Sequence, residues 1–213
     1  LALSFRKMRE VPADGIVVVP PLLRKEVLEM TPTKGDYLHG YLLNSGFGEE
    51  ICSWHKVHPS VELHIFWDKK EVLPEVKVDS RLSFHQLNDT LFVRYMAGAR
   101  AYATTAGFES VCEAMYLGKP VLMVPTHIEQ ACNAFDAVHA GAGVIADRFD
   151  LDALLQLSQT HQPDLAFSHW VKQADWLILR EFREDLLMEE MPSSVWHRLS
   201  MHWVYRVAKT FSI

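Results

Sequence analysis

From Asp36 to Ser158 the chain alternates short apolar runs with stretches long enough for about three helical turns, and few folds accept that rhythm. The runs Tyr37–Leu43, Val61–Trp67, Ala99–Thr105, Val121–Pro125 and Val144–Ala146 read as strands, with Arg81–Phe84 a shorter one. Glu49–Val57, Asp89–Ala97, Glu109–Leu117 and Gln130–Ala140 read as helices, and Asp150 caps another that reaches Ser158. Asn88 is a candidate cap for the second helix. Gly118-Lys119-Pro120 and Gly141 are helix stops, because glycine accepts the left-handed backbone that ends a last turn. Strands alternating with such helices imply right-handed crossovers and a parallel sheet. The expected fold is α/β, a doubly wound, Rossmann-like parallel sheet whose ligands bind outside the carboxyl ends of the strands.

The flanks differ. Leu1–Phe5 and Ile16–Val19 are extended runs, and Pro20-Pro21 stiffens the chain where it cannot join a sheet interior. Leu22–Met30 reads as a short helix and Pro32–Gly35 as a turn. Residues 1–35 are therefore expected to be the remnant of an N-terminal domain with its linker, 36–160 the binding domain, and 161–213 a helical C-terminal tail. The chain opens on Leu1 within an apolar run, so a fragment of a longer protein is expected. In the tail, Ser168–Met191 reads as one long helix and Ser194–Phe211 as another. The second carries Trp196, Leu199, Trp203 and Val207 on one face, with Arg198, Arg206 and Lys209 beside them. Packing on a domain is one reading of that face, and a peripheral contact with anionic lipid is the other.

Bulk properties narrow the function. A hydrophobic fraction of 49% and a charged fraction of 23% suit a globular protein with a full core. The net charge of −6 argues against a nucleic-acid partner. Cys52, Cys112 and Cys132 have no paired spacing; with Cys112 and Cys132 in apolar helical patterns, they read as reduced, buried thiols, pointing to the cytoplasm. The 11 histidines are scattered, without zinc-site spacing. No apolar run approaches the roughly 20 residues that span a bilayer, and no signal peptide is evident.

The chemistry concentrates in Thr104–Asn133. A strand of small residues meets Gly107 and a helix starts at once, so a ligand can approach closely and Gly107 can adopt conformations barred to other residues. The free amides of that first turn and the helix dipole suit a diphosphate, with the Ser110 hydroxyl as a further donor. Glu113 has no cation three or four residues away along its helix, and Glu109 at i−4 repels it. A ribose diol would satisfy such a carboxylate; a solvated surface position is the bland alternative. A second strand-to-helix junction follows, where Glu129 and Gln130 stand together and can grip adjacent sugar hydroxyls. Dipole compensation is the plainer account of Glu129. Among the histidines only His127 falls near this cleft.

The run TTAGFESVCEAMYLGKPVLMVPTHIEQACNA resembles the donor-binding signature of GT-B glycosyltransferases. It is similar to both the UDP-glucuronosyl/glucosyltransferases and the N-acetylglucosaminyltransferase of peptidoglycan synthesis. The match passes without a gap through Gly107, Ser110, Glu113, Gly118, Pro120, Pro125, Gln130 and Asn133. The resemblance implies a GT-B C-terminal half in which Gly107, Phe108 and Ser110 hold the diphosphate. It puts the ribose-binding glutamate at Glu113 and the sugar-binding acidic–Gln pair at Glu129 and Gln130. Asn44, Ser45, Gly46 and Phe47 resemble, more loosely, the family's loop near the phosphates. Thr105 replaces a phosphate-contacting histidine, and Glu109 an asparagine. The uracil-stacking Trp-Pro-Gln segment is absent, with Phe84, His85 and Gln86 in its place.

The resemblance implies an inverting transfer from a UDP-linked sugar to an acceptor hydroxyl, with no metal or other cofactor required. The acceptor and the catalytic base are expected on an N-terminal acceptor-binding domain, so this chain alone is expected to bind nucleotide without transferring sugar. His55, His58, His64 and His85 read as structural or surface residues. Two alternatives share the architecture: a UDP-N-acetylglucosamine 2-epimerase-like enzyme, and the non-catalytic donor-binding subunit of a split transferase.

Overall fold

A computed structural model describes residues 1–8, 15–69 and 73–188, with side chains as far as Phe182. Two two-residue strands, β1 (Ala2–Leu3) and β2 (Val18–Val19), pair in parallel, and a four-residue helix, α1 (Lys25–Leu28), follows. The remaining strands are β3 (Tyr37–Leu42), β4 (Glu62–Trp67), β5 (Glu75–Lys77), β6 (Leu82–Gln86), β7 (Ala101–Thr104), β8 (Val121–Met123) and β9 (Gly143–Ile145). The helices are α2 (Gly48–Val57), α3 (Asp89–Gly98), α4 (Phe108–Tyr116), α5 (Ile128–His139), α6 (Leu151–Thr160), α7 (Leu165–Val171) and α8 (Ala174–Met188).

The large sheet runs β5-β6-β4-β3-β7-β8-β9, and every pairing except β5 with β6 is parallel. Counted from β3, the six parallel strands stand in the order 3-2-1-4-5-6, the doubly wound arrangement whose crevice lies where the order reverses. That point is the β3–β7 junction, with Tyr41 opposite Thr104.

Alternation along the strands feeds two cores. Leu38, Leu42, Ala101 and Ala103 face one layer with Ile51 of α2 and Leu154 of α6. Tyr102 and Met123 face the other with Phe92 of α3, Val111 of α4 and Ala134 of α5. Asn88 and Asp150 cap as expected, accepting from the Leu91 and Ala153 amides at 3.0 Å. Gly118 (φ 69°) and Gly141 (φ 82°) end their helices in the left-handed region.

Three expectations need correction. The antiparallel edge strand β5 has no counterpart in the sequence reading, because Glu75-Val76-Lys77 is too short and polar to register as a strand. The long tail helix is broken at Lys172–Gln173: α7 packs Phe167 and Val171 into the α4 layer, while α8 sets Ala174 and Ile178 against Val19 of β2. Two docking faces are served by two helices. Finally, Cys112 is buried but Cys52 is half-buried and Cys132 exposed, since α5 buries Ala134 and Ala137 on its other side. Among the described residues no helix is long and apolar enough to cross a membrane. The expected helix Ser194–Phe211 lies outside the described residues.

Candidate functional site

β3 and β7 are neighbours, yet the chain leaves β3 for α2 on one face and β7 for α4 on the other. A cleft of about 590 Å³ opens beside this reversal, within the roughly 300–1,000 Å³ of small-molecule sites. Glu109, Ser110 and Glu113 of α4 form one wall, and Tyr41 and Phe92 lie across from them. Leu87 and Asp89, at the passage from β6 to α3, extend it, and Leu22, Leu23 and Arg24, just ahead of α1, complete it.

The helix starts around the reversal are open. α4 and α5 carry no side-chain cap, nor does α2 behind its short 3-10 turn, whereas the flanking α3 and α6 are capped. First-turn amides point out of the N-terminal end of a helix, so α4 and α5 each present donors and a partial positive charge. The two starts are adjacent: α4 packs beside α5, and Asn133 Nδ2 donates to the Ala106 carbonyl at 3.4 Å.

The unusual backbone falls one residue earlier than expected. Gly107 is extended (φ −63°, ψ 131°), a conformation open to any residue, and Ala106 is left-handed (φ 65°). Ala106 is fully buried, and packing of its methyl group holds this strained geometry. A Cβ on Gly107 would meet only Ser110 Oγ, at 3.7 Å, so the glycine leaves the helix mouth bare rather than permitting the turn. Ser110 Oγ donates to the Gly107 carbonyl at 3.1 Å. The Phe108 ring packs against Phe5, with centroids 4.7 Å apart, and Phe108 does not line the cleft. Thr105 is 1% exposed, its side chain shut inside the protein rather than turned to the cleft.

Glu113 is not a solvated glutamate: it is 4% exposed. Arg24 grips it with both arms of the guanidinium, Nη2 donating to Oε2 at 2.9 Å and Nε donating to Oε1. This bond holds the Arg24 pKa above its ordinary value. Arg24 Nη1 also lies 3.8 Å from Asp89. The sequence reading missed Arg24 because it stands 89 residues from Glu113 and no local pattern links them. The lone arginine after Pro20-Pro21 was the available signal.

The second junction is less uniform than its sequence suggests. Glu129 and His127 are exposed, and His127 gives α5 no cap. Gln130 is 4% exposed, and its Oε1 accepts from both the amide and the hydroxyl of Thr126 at 2.8 Å. Glu129 and Gln130 thus diverge, one to solvent and one folded back on its own loop. Ser45 and Gly46 are exposed in the turn after β3 and lie outside the cleft wall; Asn44 accepts from the Gly46 amide at 2.8 Å. Phe84 and His85 lie within β6, stacked on Trp67 and Phe66, and offer no surface for a base. Leu87, 46% exposed, follows β6 in the cleft wall.

The strand order and the cleft beside its reversal, walled by the open start of α4 and by no residue of α5, are those of a GT-B glycosyltransferase fold. The sequence profile of glycosyl transferase family 1 matches residues 2–158, and the chain belongs to that family. The structure of the glycotransferase of kitacinnamycin superposes with a TM-score of 0.58 at 15% identity, covering 84% of this chain and 51% of that one. Spinosyn forosaminyltransferase SpnP gives 0.55 at 16% identity, covering 81% and 50%. A Caenorhabditis elegans protein bearing the name UDP-glucuronosyltransferase ugt-48 is 27% identical over 113 residues, covering 42% of this chain and 22% of that protein. The chain thus spans about half the length of these solved structures and about a fifth of the nematode protein.

Proposed function

We propose that this chain is the donor-binding, C-terminal half of an inverting glycosyltransferase that uses a UDP-linked sugar. The observation that carries the reading is the convergence of the uncapped α4 and α5 starts, tied by Asn133 and Ala106, beside a cleft at the sheet's reversal point. Oriented amides in a walled site stabilise charge without reorganising, which is what a departing diphosphate needs. In the reaction an acceptor oxygen bonds to the anomeric carbon as the bond to the diphosphate breaks. The bonding pair leaves with the diphosphate, and the acceptor proton passes to a base on an N-terminal, acceptor-binding domain. The α4 and α5 amides supply the stabilisation, so the reading requires no metal.

Calorimetric titration of the chain with UDP, GDP, dTDP and their sugars tests this. Saturable binding of UDP and a UDP-sugar, both weakened by Glu113→Ala and only the sugar-linked ligand weakened by Glu129→Ala, with neither affected by EDTA, is the expected result. The chain alone should leave the donor sugar on its diphosphate. No binding of any nucleoside diphosphate, or sugar transfer by the unaided chain, contradicts the proposal.

A further inference from the structure

The bidentate pair between Arg24 and Glu113 stands in the wall of the cleft, and its two halves come from different parts of the chain. Glu113 keeps 5% of its side-chain exposure and Arg24 33%. The guanidinium occupies one acceptor position on each carboxylate oxygen. A carboxylate has about four such positions, so a second remains on each oxygen. Two spare acceptors on one carboxylate match two donors on neighbouring carbons, the pattern of a ribose 2′,3′-diol.

Resting on the reading that this cleft takes a nucleoside diphosphate, we infer that Arg24 is a positioning residue for ribose recognition. Its planar fork fixes the carboxylate plane of Glu113 and turns the spare acceptors to the cleft. Lysine would carry the same charge without that fork and would leave the carboxylate free to rotate. Arg24 Nη1 also lies near Asp89, and the residue stands immediately before α1, outside the helices that follow the sheet strands. The orientation of Glu113 therefore depends on how this segment is seated. α1, which begins at the next residue, packs on both α3 and α4 and holds that seat.

The test measures discrimination between UDP and 2′-deoxy-UDP by calorimetry, for the whole chain and for Arg24→Lys, Arg24→Met and Glu113→Gln. The unaltered chain should prefer UDP by about 10-fold or more, the scale of a lost hydrogen bond to a charged group. Both Arg24 variants should reduce that ratio to about twofold or less, with affinity for 2′-deoxy-UDP, which keeps the 3′-hydroxyl, falling less than affinity for UDP. Arg24→Lys retains the charge, so it decides the matter if Arg24→Met fails to fold. Should Glu113→Gln lose the discrimination while Arg24→Lys keeps it, the role of Arg24 is overturned and the donor-site reading stands. Equal losses for both ligands in the Arg24 variants also overturn it, since a contact to phosphate or a purely structural staple would do that. If the unaltered chain binds neither nucleotide, the donor-site reading falls and takes this inference with it.

Discussion

Asn133 on α5 and Ala106 at the end of β7 are joined by a side-chain to backbone hydrogen bond across 27 residues of chain. This bond registers the second helix start against the first. Its acceptor belongs to the one non-glycine residue with positive φ among the described residues, so the strained turn and the helix pairing are built at the same place.

Ala106 and Gly107 should respond to substitution in opposite ways. Ala106→Val puts a branched side chain into a left-handed, fully buried position and should cost about 2–4 kcal/mol in urea unfolding. Gly107→Ala meets an allowed backbone and open space, so stability should stay within about 0.5 kcal/mol while UDP affinity falls. A large stability loss from Gly107→Ala would show that the glycine serves the turn after all.

The Arg24–Glu113 pair should be asymmetric. Removing Glu113 leaves a guanidinium that can turn to water, and Glu113→Ala should cost about 1–2 kcal/mol. Removing Arg24 strands a carboxylate with 5% side-chain exposure, and Arg24→Ala should cost about 3–5 kcal/mol. Equal costs in chemical denaturation would mean that Glu113 reaches solvent when released.

Glu109 lines the cleft in the first turn of α4, where a carboxylate favours the helix and opposes a diphosphate. Glu109→Gln should tighten UDP binding about two- to fivefold, on the scale of an exposed charge interaction, and the gain should shrink as salt rises. Weaker binding in the variant would put Glu109 in contact with a ligand donor instead.

His39 is fully buried among Phe66, Phe92 and Tyr102, and neither ring nitrogen has a hydrogen-bond partner among the described residues. Burial lowers its pKa to about 3. Above the ordinary histidine pKa near 6.5 both folded and unfolded chains are neutral here. As the pH falls from there toward 3, only the unfolded chain takes the proton, so stability declines. His39→Phe should flatten that decline in urea midpoints measured between pH 7 and pH 4. An unchanged slope would assign it to other groups.

The sheet was legible because burial of parallel strands on both faces demands mainly apolar runs: Val121–Met123 is unbroken, and Tyr37–Leu42 and Glu62–Trp67 are apolar but for His39 and Gly40 in one and Glu62 and His64 in the other. The caps Asn88 and Asp150 and the stops Gly118 and Gly141 were legible for the same reason: each acts within a few residues of itself. The site was legible only to that depth. Gly107, Ser110 and Glu113 could be placed at a helix start, but the cation facing Glu113 comes from Arg24, 89 residues earlier in the chain. The inward turn of Gln130 depends on Thr126, four residues back, competing for its carbonyl, and side-chain direction is not written in spacing. Left-handed Ala106 was missed because glycine stood next to it and propensity favours glycine for that role.

The open ends of α4 and α5 have a practical consequence for anyone handling this protein. Donors that no side chain satisfies are left to water, and any solute that bonds them binds the folded chain alone. Such a solute raises the melting temperature by mass action, with about 2.7 kcal/mol added at 100 times its dissociation constant. Heating the chain with a panel of small anions and nucleotides, each at one concentration, would therefore rank them by affinity without any acceptor.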